Sequence, residues 1–344
     1  MGRNDTCSMG FIYSKAAAGL KSAAGVIVAA LILAIFATPL YGQAAADQEK
    51  TKKPPMRIRS TFVPGYAYHY KFTETAEIVR TYEDGSKVSY ERDRTFFMTF
   101  EQRPEDRNGF FRYEVSVDSM LYRFREGDAE VVYDSQADEV PASSFNDLIA
   151  YWVPQGRIFS MVYSPYREVA EVDGEMITWV IDYVTAGETR LSDTLMRYMW
   201  VKGVSRSHLA HFADMEKSAI PVGTVIEDST WSGKFEAEIS GVDFRGKINT
   251  KISDYRGGHF MLESEMPALE PVKEQIRIYG VEDFVDVTGG NASGTMKIDI
   301  NPQSTITEAE SDIDAEVNYK YRRTQFTEKI KMKSEWKYLN SYKI

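Results

Sequence analysis

Histidine is scarce in this chain. His69, His208, His211 and His259 are its only four imidazoles, so any metal or acid–base chemistry of that kind must be built from them. The run His208-Leu-Ala-His211-Phe-Ala-Asp214 spaces two imidazoles three apart, and two such rings on a helix can share a zinc ion. A third ligand six positions on would be turned by about 240° on a helix of 3.6 residues per turn, so Asp214 points elsewhere. The spacing therefore reads as surface or cap histidines, and no metal ligand is assigned. His69, between Tyr68 and Tyr70, is expected on the solvent side of a strand.

Carboxylates are abundant, with 51 Asp and Glu against 41 Lys and Arg. Glu308, Glu310, Asp312, Asp314 and Glu316 take every second position, which places five carboxylates on one face of a strand. A compact calcium site needs about 6–8 oxygens at about 2.4 Å. Alternate strand residues stand about 6.6 Å apart, too far for such a site. The next segment offers a better explanation. A hairpin turning between Arg322 and Arg323 sets Glu316 beside Lys329, Asp314 beside Lys331, Asp312 beside Lys333 and Glu308 beside Lys337. The same register gathers Ile313, Val317, Ile330 and Trp336 on the other side. It leaves Glu310 opposite Glu335, a like-charge pairing it does not explain.

Other chemistries lack their residues. Cys7 is the only cysteine, and there is no Gly-x-Ser-x-Gly elbow, no Walker loop and no Gly-x-Gly-x-x-Gly following a strand. Paired carboxylates could serve glycoside hydrolysis, but nothing distinguishes one pair among so many acids. No catalytic residue is assigned, ligand-binding residues remain unknown, and no cofactor is expected.

The elements that would position any site follow from periodicity. Tyr66, Tyr68, Tyr70 and Phe72 alternate on one strand face, as do Phe111, Tyr113, Val115 and Val117. Turn signals at Asp84-Gly85, Asn108-Gly109 and Glu126-Gly127-Asp128 make the neighbouring strands antiparallel. The period then lengthens. Phe145, Leu148, Ile149 and Trp152 form a short amphipathic helix behind a Ser143-Ser144 cap. After a strand pair over 158–172, helical faces recur at Ile177–Val184, at Leu191–Met199 and from Ser205 to Met215. From Trp231 strands return at Phe235–Ile239, Ile248–Ile252, Phe260–Met266, Ile276–Tyr279, Phe284–Val287 and Met296–Ile300. Gly241, Gly246, Gly257-Gly258 and Gly289-Gly290 are read as their turns. The fold class expected is α+β, mainly β, with two curved antiparallel sheets and a central group of short amphipathic helices. A single continuous sheet is the alternative.

The N-terminal region reads as an address. Lys15 and Lys21 precede an apolar stretch from Ala23 to Ala37, and Ala44-Ala45-Ala46 follows Pro39 and Gly42. These are the parts of a secretory signal peptide, with cleavage expected after Ala46. An uncleaved membrane anchor is the alternative, and Met9 is a possible start. The expected organisation is a signal peptide over 1–46, a polar tether over 47–57, an N-terminal β-rich half over 58–174, a helical connector over 175–217 and a C-terminal β-rich half over 218–344. After cleavage no transmembrane segment is expected, and the protein would lie in the periplasm or cell envelope. A composition of 43% hydrophobic and 13% aromatic residues excludes disorder. A net charge of −10 repels phosphate backbones and anionic lipid surfaces, so nucleic acid is excluded as a partner.

Two segments flank the helices: Gly156-Arg-Ile-Phe-Ser-Met-Val-Tyr-Ser-Pro-Tyr-Arg-Glu-Val-Ala-Glu-Val-Asp-Gly174 and Ile220-Pro-Val-Gly-Thr-Val-Ile-Glu-Asp-Ser-Thr-Trp231. With the helices between them, they resemble an exported bacterial domain family of unknown function. Pro165-Tyr166-Arg167 stands where that family usually turns on glycine, and Glu227-Asp228 replaces the glycine before the tryptophan. The resemblance implies an exported, two-part, β-rich architecture and no catalysis. Together with the aromatic density on alternating strands, it frames the expected function: a non-enzymatic envelope protein that binds a lipid or other apolar ligand. A structural or protein-interaction module binding an envelope partner is the alternative, and an unrecognised hydrolase the third reading.

The hairpin register makes one prediction. Each exposed cross-strand pair contributes about 0–1 kcal/mol, more at low ionic strength. Asp312→Lys with Asp314→Lys should therefore lower the denaturation midpoint in low salt and much less in high salt. Unchanged low-salt stability would count against the register.

Overall fold

The alternating patterns extend much further than single strands of ordinary length. The computed structural model describes residues 54–104, 108–137, 146–185 and 194–344. The expected cleavage site at Ala46, the Ser143-Ser144 cap and Leu191 lie outside the described residues. In chain order the first half holds β1 (Met56–Arg57), β2 (Tyr66–Tyr82), β3 (Lys87–Arg103), β4 (Phe111–Glu126), β5 (Ala129–Asp134), α1 (Asn146–Trp152), β6 (Ile158–Tyr163) and β7 (Val169–Asp173). Three helices follow: α2 (Glu175–Thr185), α3 (Thr194–Gly203) and α4 (Arg206–Ala213). The rest is strand: β8 (Thr224–Val225), β9 (Thr230–Ile239), β10 (Val242–Arg256), β11 (His259–Pro271), β12 (Gln275–Ile276), β13 (Val285–Ile300), β14 (Ile306–Tyr321) and β15 (Thr324–Lys343). None of the described helices is long and apolar enough to cross a membrane.

The mainly antiparallel β architecture is as the sequence indicates, but the division into two sheets is not. Thirteen strands form one sheet, whose main path runs β7-β6-β4-β3-β2-β15-β14-β13-β11-β10-β9, with β5 on β4 and β12 on β13. Strands β1 and β8 form a separate two-stranded pair. The halves join directly, because β15 pairs with β2 from Phe326–Tyr82 to Lys343–Tyr66. Helices α2–α4 link the halves along the chain, while the hydrogen-bonded joint is strand to strand. Periodicity shows which face of a strand is buried, but it does not show which distant strand lies beside it, and that is why the joint is invisible in the sequence.

The acidic hairpin matches its expected register pair for pair, from Glu308–Lys337 to Glu316–Lys329, with Glu310 opposite Glu335. The Glu316–Lys329 pair closes to 3.5 Å. The turn is Arg322-Arg323, with Arg322 in the left-handed region at φ 56°. Glycines in the C-terminal half act differently from expectation. Gly241 and Gly257-Gly258 do lie in turns, but Gly246 lies inside β10, and Gly289-Gly290 lies inside β13, which runs unbroken through both segments read as separate strands. The reason is close approach of a neighbouring strand, β11 at Gly246 and β14 at Gly290. A Cβ on Gly294 would stand 2.3 Å from Asp312 O, and one on Gly290 2.2 Å from Glu316 O. Beyond Ile276 the expected strand to Tyr279 is irregular.

The inward face of the sheet and the helices share one core. Phe72 packs at 4.8 Å from Trp336 and 6.1 Å from Phe96, and Phe96 at 4.8 Å from Phe212 of α4. All four are buried. The core is filled by its own side chains. The space behind α1 and α3, bordered by Arg92, Tyr151, Lys202 and Glu238, is only about 20 Å³, room for one water molecule.

Gly294→Ala tests the account of β13. Forcing a methyl group against the β14 backbone should cost about 1–3 kcal/mol, read as a lower urea midpoint with an unchanged slope. A midpoint equal to the wild type would show that β14 has room to move.

Candidate functional site

Strands β7 and β9 end the sheet and do not pair with each other. Helix α4 lies against both, and side chains span the gap where ladder hydrogen bonds would otherwise run. Arg206 Nη2 donates to Val169 O of β7 at 2.7 Å and pairs with Glu236 of β9 at 3.2 Å. Lys234 of β9 reaches Glu168, just before β7, at 3.5 Å. The described sheet is thus an almost closed barrel with a helix in its seam. Local sequence explains the helix: Ser205 caps it, its hydroxyl accepting from His208 N at 3.3 Å, while Leu209 and Phe212 supply the buried stripe.

The two histidines of α4 are buried, 1% and 4% exposed, which corrects the expectation of surface or cap positions. They diverge to different strands. His208 Nδ1 lies 3.2 Å from Glu238 of β9, and His211 Nε2 makes a short hydrogen bond to Glu74 of β2. Glu238 also binds Lys202 at 3.0 Å. Burial pushes the Glu238 carboxyl up, but Lys202 and then His208 outweigh it and hold the group well below the usual carboxylate range. Glu74 is directly opposite Arg94 in the β2–β3 ladder and pairs with it. It also accepts from Ser334 Oγ at 3.1 Å. In the same way Arg80 is opposite Glu328 and binds it at 2.7 and 2.9 Å. The sequence carried a signal for these residues. Continuing the Tyr70, Phe72 alternation places Glu74 and Arg80 on the buried face. His69, by contrast, is half-exposed as expected, 3.0 Å from Thr99 Oγ1 and stacked on Tyr342.

Asp214 follows α4 but does not join the histidines. Its Oδ1 accepts from Tyr163 OH at 3.1 Å and from the backbone N–H groups of Glu216 and Lys217 at 3.2 Å. These bonds hold a strained turn. Lys217 and Ser218 are consecutive non-glycine residues at φ 45° and 61°, conformations that cost of order 1–3 kcal/mol each unless their surroundings impose them. The turn presses on β9 at Gly233, where a Cβ would stand 2.5 Å from Ser218 O. Trp231 Nε1 fixes the exit by donating to Ala219 O at 2.8 Å. Arg167, itself at φ 61°, grips Glu216 with Nε and Nη2, both at 2.8 Å. Lys217 turns inward: Nζ donates to Ala210 O at 2.8 Å and lies 5.9 Å from the Trp336 ring. Burial lowers its pKa to about 8, and burial likewise raises that of Asp214.

Beside this turn the seam opens into a cleft of about 340 Å³. Its inner wall is Val169, Ala237 and Phe244, all buried, and its outer wall includes Arg206, Lys234 and Arg245, all well exposed. A second apolar feature is external. Trp152, Trp179 and Trp200 of the first three helices cluster with Tyr183, and Trp179 is 47% exposed. Among the described residues one trio of carboxylates converges: Glu308, Glu310 and Glu335 bring oxygens within 4.8 Å of one another. Burial, and then the hydrogen bond with Glu335, raise the Glu308 pKa.

No family model matches the chain, and no curated protein does. Among solved structures, it is similar to one described as "lipid-protein interactions in lipovitellin", at 9% identity and a TM-score of 0.42. That match covers 82% of this chain and 26% of the other, so the chain spans about a quarter of that protein. The translocator domain of autotransporter NalP from Neisseria meningitidis matches at 8% identity and a TM-score of 0.14, covering 78% and 88%. The P. putida toluene transporter TodX matches at 7% and 0.15, covering 82% and 91%. None of these three likenesses reaches a TM-score of 0.5.

Lys217 gives the site a measurable signature. Between pH 8 and 10.5 the unfolded chain still holds the lysine proton while the folded chain has released it, so stability rises with pH through that window. At ~1.4 kcal/mol per unit the rise reaches at most about 3 kcal/mol. Lys217→Met should abolish it. If both proteins show parallel pH–stability curves, the buried amine does not titrate there.

Proposed function

We propose that the protein is an exported cell-envelope binding module that takes a small amphipathic ligand in the seam cleft and performs no chemistry on it. The cleft carries this reading. Its volume of about 340 Å³ falls in the range of small-molecule sites, roughly 300–1,000 Å³. An apolar inner wall beneath an outer wall that carries Arg206, Lys234 and Arg245 beside Glu168, Glu236 and Asp243 suits a molecule with an apolar body and a polar end. The filled core argues for a compact ligand over a long lipid chain. Asp214 and Lys217 are already engaged in holding the strained turn, which favours binding over hydrolysis. The export signal read in the sequence and the family resemblance support the envelope location.

A spanning barrel does not fit the outward face of the sheet. Glu77, Glu91, Asp312, Lys331 and Lys333 are exposed along it, where a lipid-facing band would have to be apolar. The tryptophan cluster favours a second reading, a protein-interaction module presenting the α1–α3 face to an envelope partner.

Native mass spectrometry of protein purified from its own envelope, followed by organic extraction, tests the proposal. The expected result is an added mass of a few hundred daltons that is lost on denaturation and recovered in the solvent. Ala237→Phe, which fills the cleft, should abolish that mass while leaving circular dichroism unchanged. A clean ligand-free mass, with a detergent-exchange control showing that bound amphiphiles survive purification, would overturn the cleft reading in favour of the interaction module.

A further inference from the structure

The barrel has two unlike rims. At one of them β2, β4, β9, β11 and β14 begin, and β3, β6, β10, β13 and β15 end. Four exposed tyrosines stand at this rim: Tyr66 at the start of β2, Tyr166 in the turn after β6, Tyr255 at the β10–β11 tip and Tyr342 at the end of β15. Five exposed aliphatic side chains accompany them. Val63 adjoins Tyr66, whose N–H donates to Val63 O at 3.2 Å, and Leu339 and Ile344 belong to the same end of β15. Val222 and Ile226 flank β8. The same rim also carries the exposed charges of Arg103, Glu227, Asp228 and Arg256, while the turns at the opposite rim, with Glu83, Asp84, Asp128, Arg322 and Arg323, present no exposed tyrosine or large aliphatic side chain. A rim this rich in exposed tyrosine and aliphatic side chains, interspersed with charge, marks a contact surface.

Two observations identify what it contacts. The first is where the preceding chain attaches. Strand β1 is pinned to β8 at this rim through Met56–Val225 and Arg57–Thr224, so the preceding polar residues 47–53, with Lys50, Lys52 and Lys53, join the described chain here. Upstream of them lies the apolar stretch Ala23–Ala37, which as an export signal brings this end of the chain to a membrane before cleavage. The second is side-chain type. Tyrosines with short aliphatic side chains, and the exposed bases Arg57, Arg59 and Lys343 nearby, make up the composition of a membrane–water interface, where an amphipathic ring keeps its hydroxyl in the headgroups. We propose that this rim rests on a lipid bilayer, with its tyrosines and aliphatic side chains in the interfacial layer and the strands standing away from the surface. With a net charge of −10, attachment comes from these side chains and not from attraction to anionic lipid.

Site-directed fluorescence on the full chain tests this. In a Cys7→Ser background, single cysteines replace Ile226, Tyr342 or Asp84 and carry an environment-sensitive dye. The probe is phosphatidylcholine vesicles, with and without nitroxide-labelled lipid. The expected result is a blue shift at positions 226 and 342, quenching by the nitroxide lipid that persists in high salt, and neither effect at position 84. An N-terminal anchor alone would tether the chain without immersing the rim, so unquenched labels at 226 and 342 on vesicle-bound protein would overturn the proposal. Equal quenching at position 84 would overturn it too. As a complement, Tyr66→Ser with Ile226→Ser and Tyr342→Ser should abolish quenching at a Leu339→Cys label while thermal unfolding stays cooperative. Quenching that persists in this variant would also count against the rim.

Discussion

Strand β15 pairs with β2 over nearly the full length of both, and the remaining architecture hangs on that ladder. Without it, β2 and β15 would each present a long open edge, and the inward residues of the two halves would have no common interior. With it, Phe72 meets Trp336, and the sheet curls until its true edges, β7 and β9, come within reach of Arg206 and Lys234. Closure stops one step short. Helix α4 fills the gap, and the strained turn after it, held by Asp214 and pressed on Gly233, leaves room for a cleft.

The same curl explains why so much charge is inside. A strand that alternates strictly must turn every second residue inward, whatever its type. Glu74, Arg80, Arg94, Glu238 and Glu328 obey that rule. Each is tolerable because a partner of opposite charge satisfies it, directly across the ladder for Glu74 with Arg94 and for Arg80 with Glu328. Removing one partner from such a pair is strongly destabilising, whereas exchanging both for well-packed apolar residues is often neutral or better. The pairs therefore speak for a defined register between strands more than for added stability. Two imidazoles three apart on α4 extend the network to β2 and β9, so the spacing that suggests a shared metal here links one helix to two separate strands.

How much of this could be read from the sequence depends on how local the cause was. The hairpin of β14 and β15 was legible to the residue, because complementary charges at period two fix a register within one turn. Helices α2 and α4 were legible from their apolar stripes and, for α4, from Ser205. Glycines misled where their role was to admit a neighbouring backbone: Gly289-Gly290 reads as a turn until β14 is known to lie beside it. The single sheet was only an alternative reading, since pairing between β2 and β15 leaves no mark on either strand. The cleft was not legible at all. Its walls come from β7, α4, β9 and β10, and no one of those segments is unusual by itself.

The β2–β15 ladder also bears on how the chain is made. Strand β15 is synthesised after both of its neighbours, β2 and β14, so the sheet lacks its central member until residues 324–343 have emerged. Contacts of such long sequence separation form slowly, and the loop-closure entropy must be overcome before they reward it. Until then β2 keeps a free edge, a hazard for aggregation but also a barrier to premature folding. The strand order therefore builds a delay into folding: the strand that closes the centre of the sheet is made long after the partner it pairs with.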